Sequence, residues 1–556
     1  MNYKNLLPVL LLFLAIQANA QLSESQSQAI DSLFLEWNKP FRPGGAIGIM
    51  QDGKTVFSKA YGLASMEYLV PNTAGTIFNT ASVSKQFTAM GIIVLHQQGK
   101  LSVDDDIRIY LPELPDFGET ITIRHMLHHT SGLRSLHAML GLAGWRGDDS
   151  RTNEDLNRFM LNQSDLNFKP GDEYNYCNTG YMLMVNIIEK ATGEKFPDWM
   201  KHTVFEPLGM TNTYVEDNYS RIVANNATSY YQVEENKFER AVEYWGYIGS
   251  GNMHSTTSDL LRWLSNFHDP QPDWEAHFQM MQTVDPLNNG EKNNYAFGVV
   301  TGSVNSHRTI GHSGSIGGFR SNIITYPDEE LSIAILTNFS SSSVGQKSNA
   351  ISNILMGEPV EEKPVEVHDP VKTIKLSNKT LAAYEGSYWH EKENIARKIY
   401  LKNDTLRYYR SASSENPLVP VGKDEFQMAD VSDVVSVKFE IKGPDRNMIV
   451  TVGDGQPGIF NGFDPTEPSK EELESYTGEF YSQELETTYK IYLKNDSLFY
   501  HHARHGDHEM KILKKDVLEG EWPLSNSKYK RNEEDQVTGI RVSNGRVKNL
   551  WFEKLK

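Results

Sequence analysis

Ser82 and Lys85 stand three residues apart in Thr80-Ala81-Ser82-Val83-Ser84-Lys85-Gln86-Phe87. On a helix, residues i and i+3 share a face, so the lysine amine lies beside the serine hydroxyl. A serine is a poor nucleophile until a base takes its proton. A lysine can be that base only if its pKa falls, and partial burial near another cation lowers it. A helix start also favours developing negative charge. Alone, the spacing is a weak motif, because helices hold such pairs constantly.

Two further groups of residues bear on the same chemistry. Tyr176-Cys177-Asn178 follows the turn signal Pro170-Gly171-Asp172, which puts Tyr176 on a loop before a helix from Tyr181. A phenol near Lys85 can share its proton, and the cation would lower the phenol's pKa toward that of a general base. The Asn178 amide can hydrogen-bond both a substrate carbonyl and a lysine. By itself the tripeptide reads more simply as a tyrosine-rich loop. Gly311-His312-Ser313-Gly314-Ser315 leads into Gly317-Gly318-Phe319-Arg320. Glycines there let a substrate approach a strand closely and pair along its edge. The N–H groups of Ser315 and Ser82 can then form an oxyanion hole. A plain glycine-rich turn fits that block equally well. Arg320 can pair with a substrate carboxylate, or is a surface arginine. Trp245 and Tyr247 line a cleft or pack in the core. Cys177 is a weaker nucleophile candidate than Ser82. Metal binding is weakly suggested by His125, His128 and His129, and by the tract His501, His502, His505 and His508, placed on a loop by the repeat described below.

Positioning elements are legible around these residues. Thr80 is placed to cap a helix running from Val83 to Leu95, apolar on most faces and so buried, with Gly99 as terminator. Gly45-Ala46-Ile47-Gly48-Ile49-Met50 reads as a strand turning at Asp52-Gly53 and returning at Thr55-Val56-Phe57. Ile323 to Tyr326, a Pro327-Asp328 turn and Leu331 to Leu336 read as a second hairpin. Helical patterns cover Tyr181 to Ala191 and Thr257 to Phe267. Strands at both ends with helices between them predict an α+β layer fold.

Residues 358–375 carry Pro359, Pro364 and Pro370 among acidic residues, which marks a linker. Beyond it, Tyr384-Glu385-Gly386 recurs as Tyr476-Thr477-Gly478, and Ile399-Tyr400-Leu401-Lys402-Asn403-Asp404 as Ile491-Tyr492-Leu493-Lys494-Asn495-Asp496. One offset of 92 relates both pairs (476 − 384, 491 − 399). Alternating apolar residues and Asn-Asp turns predict two β-rich domains, 376–467 and 468–556, each a small barrel or curved sheet.

At 556 residues the chain is too long for one core. Its net charge of −18 argues against nucleic acid, whose phosphates would be repelled. Lys4, the apolar run from Leu6 to Ile16 and Ala18-Asn19-Ala20 form a secretory signal peptide over 1–20, implying export to the periplasm or medium. That run is too short to span a bilayer. Cys177 is the only cysteine, so an internal disulfide is impossible.

The three ordered elements resemble those of the class C β-lactamase-like serine hydrolases, a family with penicillin-binding, esterase and D-amino-acid peptidase members. The resemblance spans about residues 30 to 345. It is supported by Leu101-Ser102-Val103-Asp104-Asp105-Asp106, Ile123-Arg124-His125-Met126-Leu127-His128-His129-Thr130-Ser131-Gly132-Leu133 and Phe205-Glu206-Pro207-Leu208-Gly209-Met210. It implies a β-lactamase/transpeptidase-like catalytic domain over 21–357, an antiparallel sheet flanked by helices. By the same resemblance Ser82 is the nucleophile, Lys85 and Tyr176 the base system, Asn178 a substrate and lysine contact, and Ser315 an oxyanion donor. His312, Gly314 and Arg320 border the substrate. No cofactor is implied. The usual Lys-Thr-Gly is here His312-Ser313-Gly314, which removes a permanent cation and argues against efficient β-lactam hydrolysis. The His-x-Gly form resembles the D-aminopeptidases, some of which carry tandem barrels that border the cleft. The expected activity is acyl-enzyme hydrolysis of small peptides or amides. Alternatives are an esterase, a weak β-lactamase, or a non-catalytic cell-wall ligand sensor.

Overall fold

The computed structural model describes residues 22–357 and 373–556, apart from 393–394, 412–413, 430–434, 444, 453–456 and 466–467. The leader at 1–20 and most of the linker at 358–375 lie outside the described residues.

The first hairpin forms as strands Gly45–Gln51 and Lys54–Tyr61, turning at Asp52 (φ 50°) and Gly53 (φ 69°). Two left-handed residues give a turn whose twist matches the strands. The second hairpin pairs Phe319–Tyr326 with Leu331–Thr337. Leu331–Thr337 also pairs with Gly45–Gln51, so the two ends of this region meet at the sheet centre. Val300–Val304 and His307–Ile316 complete a six-stranded antiparallel sheet beyond Phe319–Tyr326. Every residue of Leu331–Thr337 is buried, because both faces are covered. Ile333 and Ile335 pack with Ile30, Phe34 and Ile351 of the terminal helices. Ala334 and Leu336 point the other way, into the larger core with Leu260 and Leu264.

That larger core holds the helix Ser84–Gln97, buried from Ser84 to Leu95, and the helix Asn178–Thr192. The two helices meet where a β-carbon at Gly91 would lie 2.9 Å from Ile188. Thr80 does not cap the first helix. Its hydroxyl donates to Met253 O (2.9 Å), and the chain enters through a 3-10 turn, Ala81–Val83. Gly99, at φ 67°, follows its end.

The repeat becomes two closed eight-stranded barrels. Their strands start in step, Gly386–His390 against Gly478–Ser482 and Ile395–Lys402 against Thr487–Lys494. In both copies the Asn-Asp turn is left-handed at both residues: Asn403 and Asp404, Asn495 and Asp496. The barrels differ in attachment. The first has a core of its own around Tyr388, Phe439 and Met448. The second shares one continuous core with the catalytic domain. Tyr489 donates to Leu142 O (2.9 Å), and a β-carbon at Gly141 would lie 2.5 Å from Trp522.

The histidine tract is part of this junction rather than a free loop. His501 and His502 end the strand Ser497–His502, and His508 lies on Gly506–Lys514. His505 donates to Gly141 O (3.0 Å), His501 meets Asp507 and His502 meets Thr487.

Candidate active site

Ser82 lies in the Ala81–Val83 turn. Ala81 is held at φ 52°, a left-handed conformation that costs a residue with a β-carbon about 1 kcal/mol. Asn79 Oδ1 accepts the Ala81 N–H (2.9 Å), and Ser84 Oγ donates to Ala81 O (2.6 Å). Ser321 Oγ donates to Thr80 O (2.7 Å). These bonds hold Ser82 at the floor of a cleft of about 630 Å³.

The strand His307–Ile316 packs directly on this turn. A β-carbon at Gly314 would lie 2.3 Å from Ser321 Oγ and 2.5 Å from Thr80 O; one at Gly311 would lie 2.4 Å from Ile323 O. Both glycines are therefore required by the protein's own packing, and Gly314 also lines the cleft. Gly314→Ala is expected to cost about 1–3 kcal/mol of stability. It should lower turnover about 10²-fold by displacing Ser82. Urea melts and ester hydrolysis read the two effects, and wild-type values for both would contradict the packing argument.

Lys85 is fully buried. Its Nζ lies 3.3 Å from Ser82 Oγ and donates to Ser250 O (2.7 Å). It sits 4.7 Å above the Tyr176 ring. Desolvation, then the nearby Arg546 charge, holds its pKa well below the ordinary lysine value. An amine kept neutral beside a hydroxyl can take its proton.

Tyr176 behaves differently from expectation. Burial pushes its phenol up, against a weaker downward pull from Ser82 and from Arg546. Desolvation outweighs the Ser82 bond and the Arg546 charge, so the resting phenol keeps its proton and can pass it on rather than remove one. Asn178 begins the helix Asn178–Thr192, and its Oδ1 is buried without a hydrogen-bond partner. Among the described residues its side chain makes no bond to Lys85. Asn178 is one of the residues that line the cleft.

His312 is buried, and its pKa is lowered to about 4 by burial and by Lys85. The imidazole is neutral, and both nitrogens are engaged. Nδ1 lies 2.5 Å from Ser313 O, and Nε2 lies 3.0 Å from the Tyr295 hydroxyl. One tautomer satisfies both: Nδ1–H donates and Nε2 accepts. Ser313 and Ser315 face the cleft as exposed residues of the same strand. Arg320 lines it too, its Nη1 donating to Gly317 O and Phe319 O. Trp245 and Tyr247 are both buried and cleft-lining.

Cys177 Sγ donates to Leu133 O (3.3 Å), and burial pushes its thiol up, away from a nucleophilic thiolate. The early histidines have structural partners. His125 Nδ1 accepts from Thr122 N, His128 meets Tyr295 O and Asp285, and His129 Nδ1 accepts from Cys177 N. Among the described residues no group of three or more His, Cys, Asp or Glu is placed to hold a metal ion.

Tyr295, Ser250, Arg151 and Arg546 were not singled out in the sequence. None sits in a motif, and Arg546 is more than 450 residues from Ser82 in the chain.

An antiparallel sheet covered by helices on both faces, with a serine and a buried lysine at a helix head beside the strand His307–Ile316, is the architecture of β-lactamase-like serine hydrolases. Comparison with known proteins agrees: residues 35–355 match the Beta-lactamase family, and the chain belongs to it. The chain is similar to penicillin-binding protein 4* of Bacillus subtilis (strain 168), 28% identical over 454 residues, covering 78% of this chain and 98% of that protein. It is 24% identical over 319 residues to a D-aminopeptidase of Gluconobacter oxydans (strain 621H), covering 57% of this chain and 60% of that protein. The solved structure of the octameric penicillin-binding protein homologue from Pyrococcus abyssi matches with TM-score 0.54 and 24% identity, over 78% of this chain and 99% of that one. That likeness is one of fold.

Proposed function

We propose that the chain is an exported acyl-transfer hydrolase of small peptides or amides, most like a D-amino-acid peptidase, with Ser82 as nucleophile. The observation that carries this reading is the buried amine of Lys85, held 3.3 Å from Ser82 Oγ and kept from its charge by desolvation. Lys85 takes the serine proton as Ser82 attacks the carbonyl carbon. The N–H groups of Ser82 and Ser315 hold the oxyanion. Tyr176, still protonated, relays a proton to the leaving amine, and Asn178 Oδ1 accepts a substrate N–H. Water then repeats the attack on the acyl-enzyme. The D-aminopeptidase relatives and the neutral His312 favour peptides and amides over β-lactams.

A fluorophosphonate probe should label the wild type and not Ser82→Ala. Rates on D-alanine p-nitroanilide, a nitrophenyl ester and a chromogenic cephalosporin should place the cephalosporin last. No labelling, or equal labelling of Ser82→Ala, would overturn the hydrolase reading. A fast cephalosporin rate would overturn the reading of His312. Stable acylation without turnover would favour a ligand sensor.

A further inference from the structure

The second barrel reaches the catalytic cleft through the turn Ser543-Asn544-Gly545-Arg546-Val547-Lys548. The turn closes on itself, with Asn544 N donating to Val547 O (3.0 Å). It is stitched to the catalytic domain along its length. Ser135 N and Asn167 Nδ2 donate to Arg546 O (3.2 and 3.1 Å). Lys548 N donates to Asn167 Oδ1 (2.7 Å), and Lys548 Nζ reaches Glu173 (2.8 Å). The backbone of Arg546 is therefore fixed, and its guanidinium lies 4.8 Å over the Tyr176 ring, on the wall of the cleft that holds Ser82. Among the described residues that guanidinium has no carboxylate within ion-pair distance and donates to no protein acceptor.

The cleft is also cationic as a whole. Arg151, Arg320 and Arg546 line it, and no aspartate or glutamate does. Arg151 stacks on Trp245, and Arg320 donates to backbone carbonyls; neither is within ion-pair distance of a carboxylate among the described residues, although Glu243, behind Gly317, acts on Arg320 through its charge. This stands in a chain of net charge −18. Three guanidiniums concentrated in one cleft of an acidic protein attract an anion and repel an ammonium.

We propose that Arg546 is a specificity-determining residue that binds a carboxylate of the substrate, so that among open-chain esters and amides the enzyme prefers those bearing a carboxylate over their uncharged analogues. The proposal rests on the hydrolase reading and names the substrate class of that site. A guanidinium fork matches a carboxylate with two parallel hydrogen bonds, and the tyrosine face beneath it fixes the plane in which the fork lies. Its tether explains why the barrel is docked so firmly: a selecting group must be held in place before the substrate arrives.

The test compares N-benzoylglycyl thioglycolate with its methyl ester, which differ only in the carboxylate, by following thiol release. Arg546 also acts on Lys85 through its charge, so the readout is the ratio of kcat/KM values, not either rate alone. The wild type should favour the acid, and the ratio should fall about 10- to 100-fold in Arg546→Ala and further in Arg546→Glu. Arg546→Lys should retain part of it. In the wild type the preference should also shrink as salt is raised, a measurement that needs no variant. A wild type indifferent to the carboxylate, or an Arg546→Ala ratio equal to that of wild type, would overturn the proposal. If Ser82 labels with the fluorophosphonate probe and both substrates turn over, that outcome leaves the hydrolase reading standing. If Ser82 neither labels nor turns over, the hydrolase reading falls and this inference falls with it.

Discussion

Lys85→Met is expected to lower turnover by about 10²–10⁴-fold, and adding Ser82→Ala to it should cost almost nothing more. The two side chains act as one unit. Without the amine at 3.3 Å the Ser82 hydroxyl keeps its proton, and without the hydroxyl the amine has nothing to accept. Methionine fills the space of the buried stem and removes the amine. Losses that multiply in the double variant would mean the two residues work independently. The pH dependence has a definite sign. Only neutral Lys85 takes a proton, so wild-type turnover should rise as pH climbs through its lowered pKa.

Stability is linked to the same group. The folded pKa of Lys85 lies below the unfolded value of about 10.4, so between them the unfolded chain binds the proton more tightly. Wild-type stability therefore falls as pH drops from about 10 toward the folded pKa, and the cost is complete below it. Methionine carries no such cost. The Tm of Lys85→Met relative to wild type should thus be highest below the lowered folded pKa and shrink as pH approaches about 10. A difference that does not change with pH would show that the amine is not desolvated.

The second large effect is expected at the junction with the second barrel. Arg134→Met should destabilise the chain by about 3–5 kcal/mol. Arg134 is fully buried, and its guanidinium donates to Glu484 Oε2 (2.8 Å), Asp165 O (2.7 Å) and Lys548 O (3.3 Å). Glu484 is buried as well and also accepts from Ser164 Oγ (2.6 Å). Removing the arginine strands a carboxylate and two carbonyls without their donor. Most of the loss is the desolvation of what remains, so Arg134→Met with Glu484→Gln should recover part of it. Urea unfolding measures the loss. Protease cleavage within 468–556 should accelerate, because the barrel undocks before the catalytic core melts. A double variant no better than the single one would mean that the stranded charge is not the cause. The preference for carboxylate substrates should weaken in parallel, since the same bond to Lys548 O helps hold the Arg546 turn.

Much of the fold was legible because its signals are local. The Asn-Asp dipeptides of the repeat need two left-handed residues, and that requirement is written in the residue types themselves. Period-two alternation marked the strands, and an all-round apolar stretch marked the helix from Ser84. The order of Ser82, Lys85, Tyr176, Asn178 and His312 pointed to one family. Thr80 as a cap failed because a hydroxyl bonds whichever acceptor the tertiary structure offers first, here Met253 O. The packing need for glycine at 311 and 314 was not legible, because a sequence does not say which of the protein's own atoms fill the space beside them.

The chain by itself determined that a serine, a lysine, a tyrosine and a glycine-rich strand were present in a recognisable order. It did not determine their protonation. Burial and neighbouring charge act together on Lys85 and against each other on Tyr176, and burial belongs to the assembled fold. Burial made the lysine the resting base and left the tyrosine with its proton. Nor did the chain disclose Arg546. No periodicity or motif links residues so far apart, and only the docking of the second barrel brings that guanidinium over Tyr176.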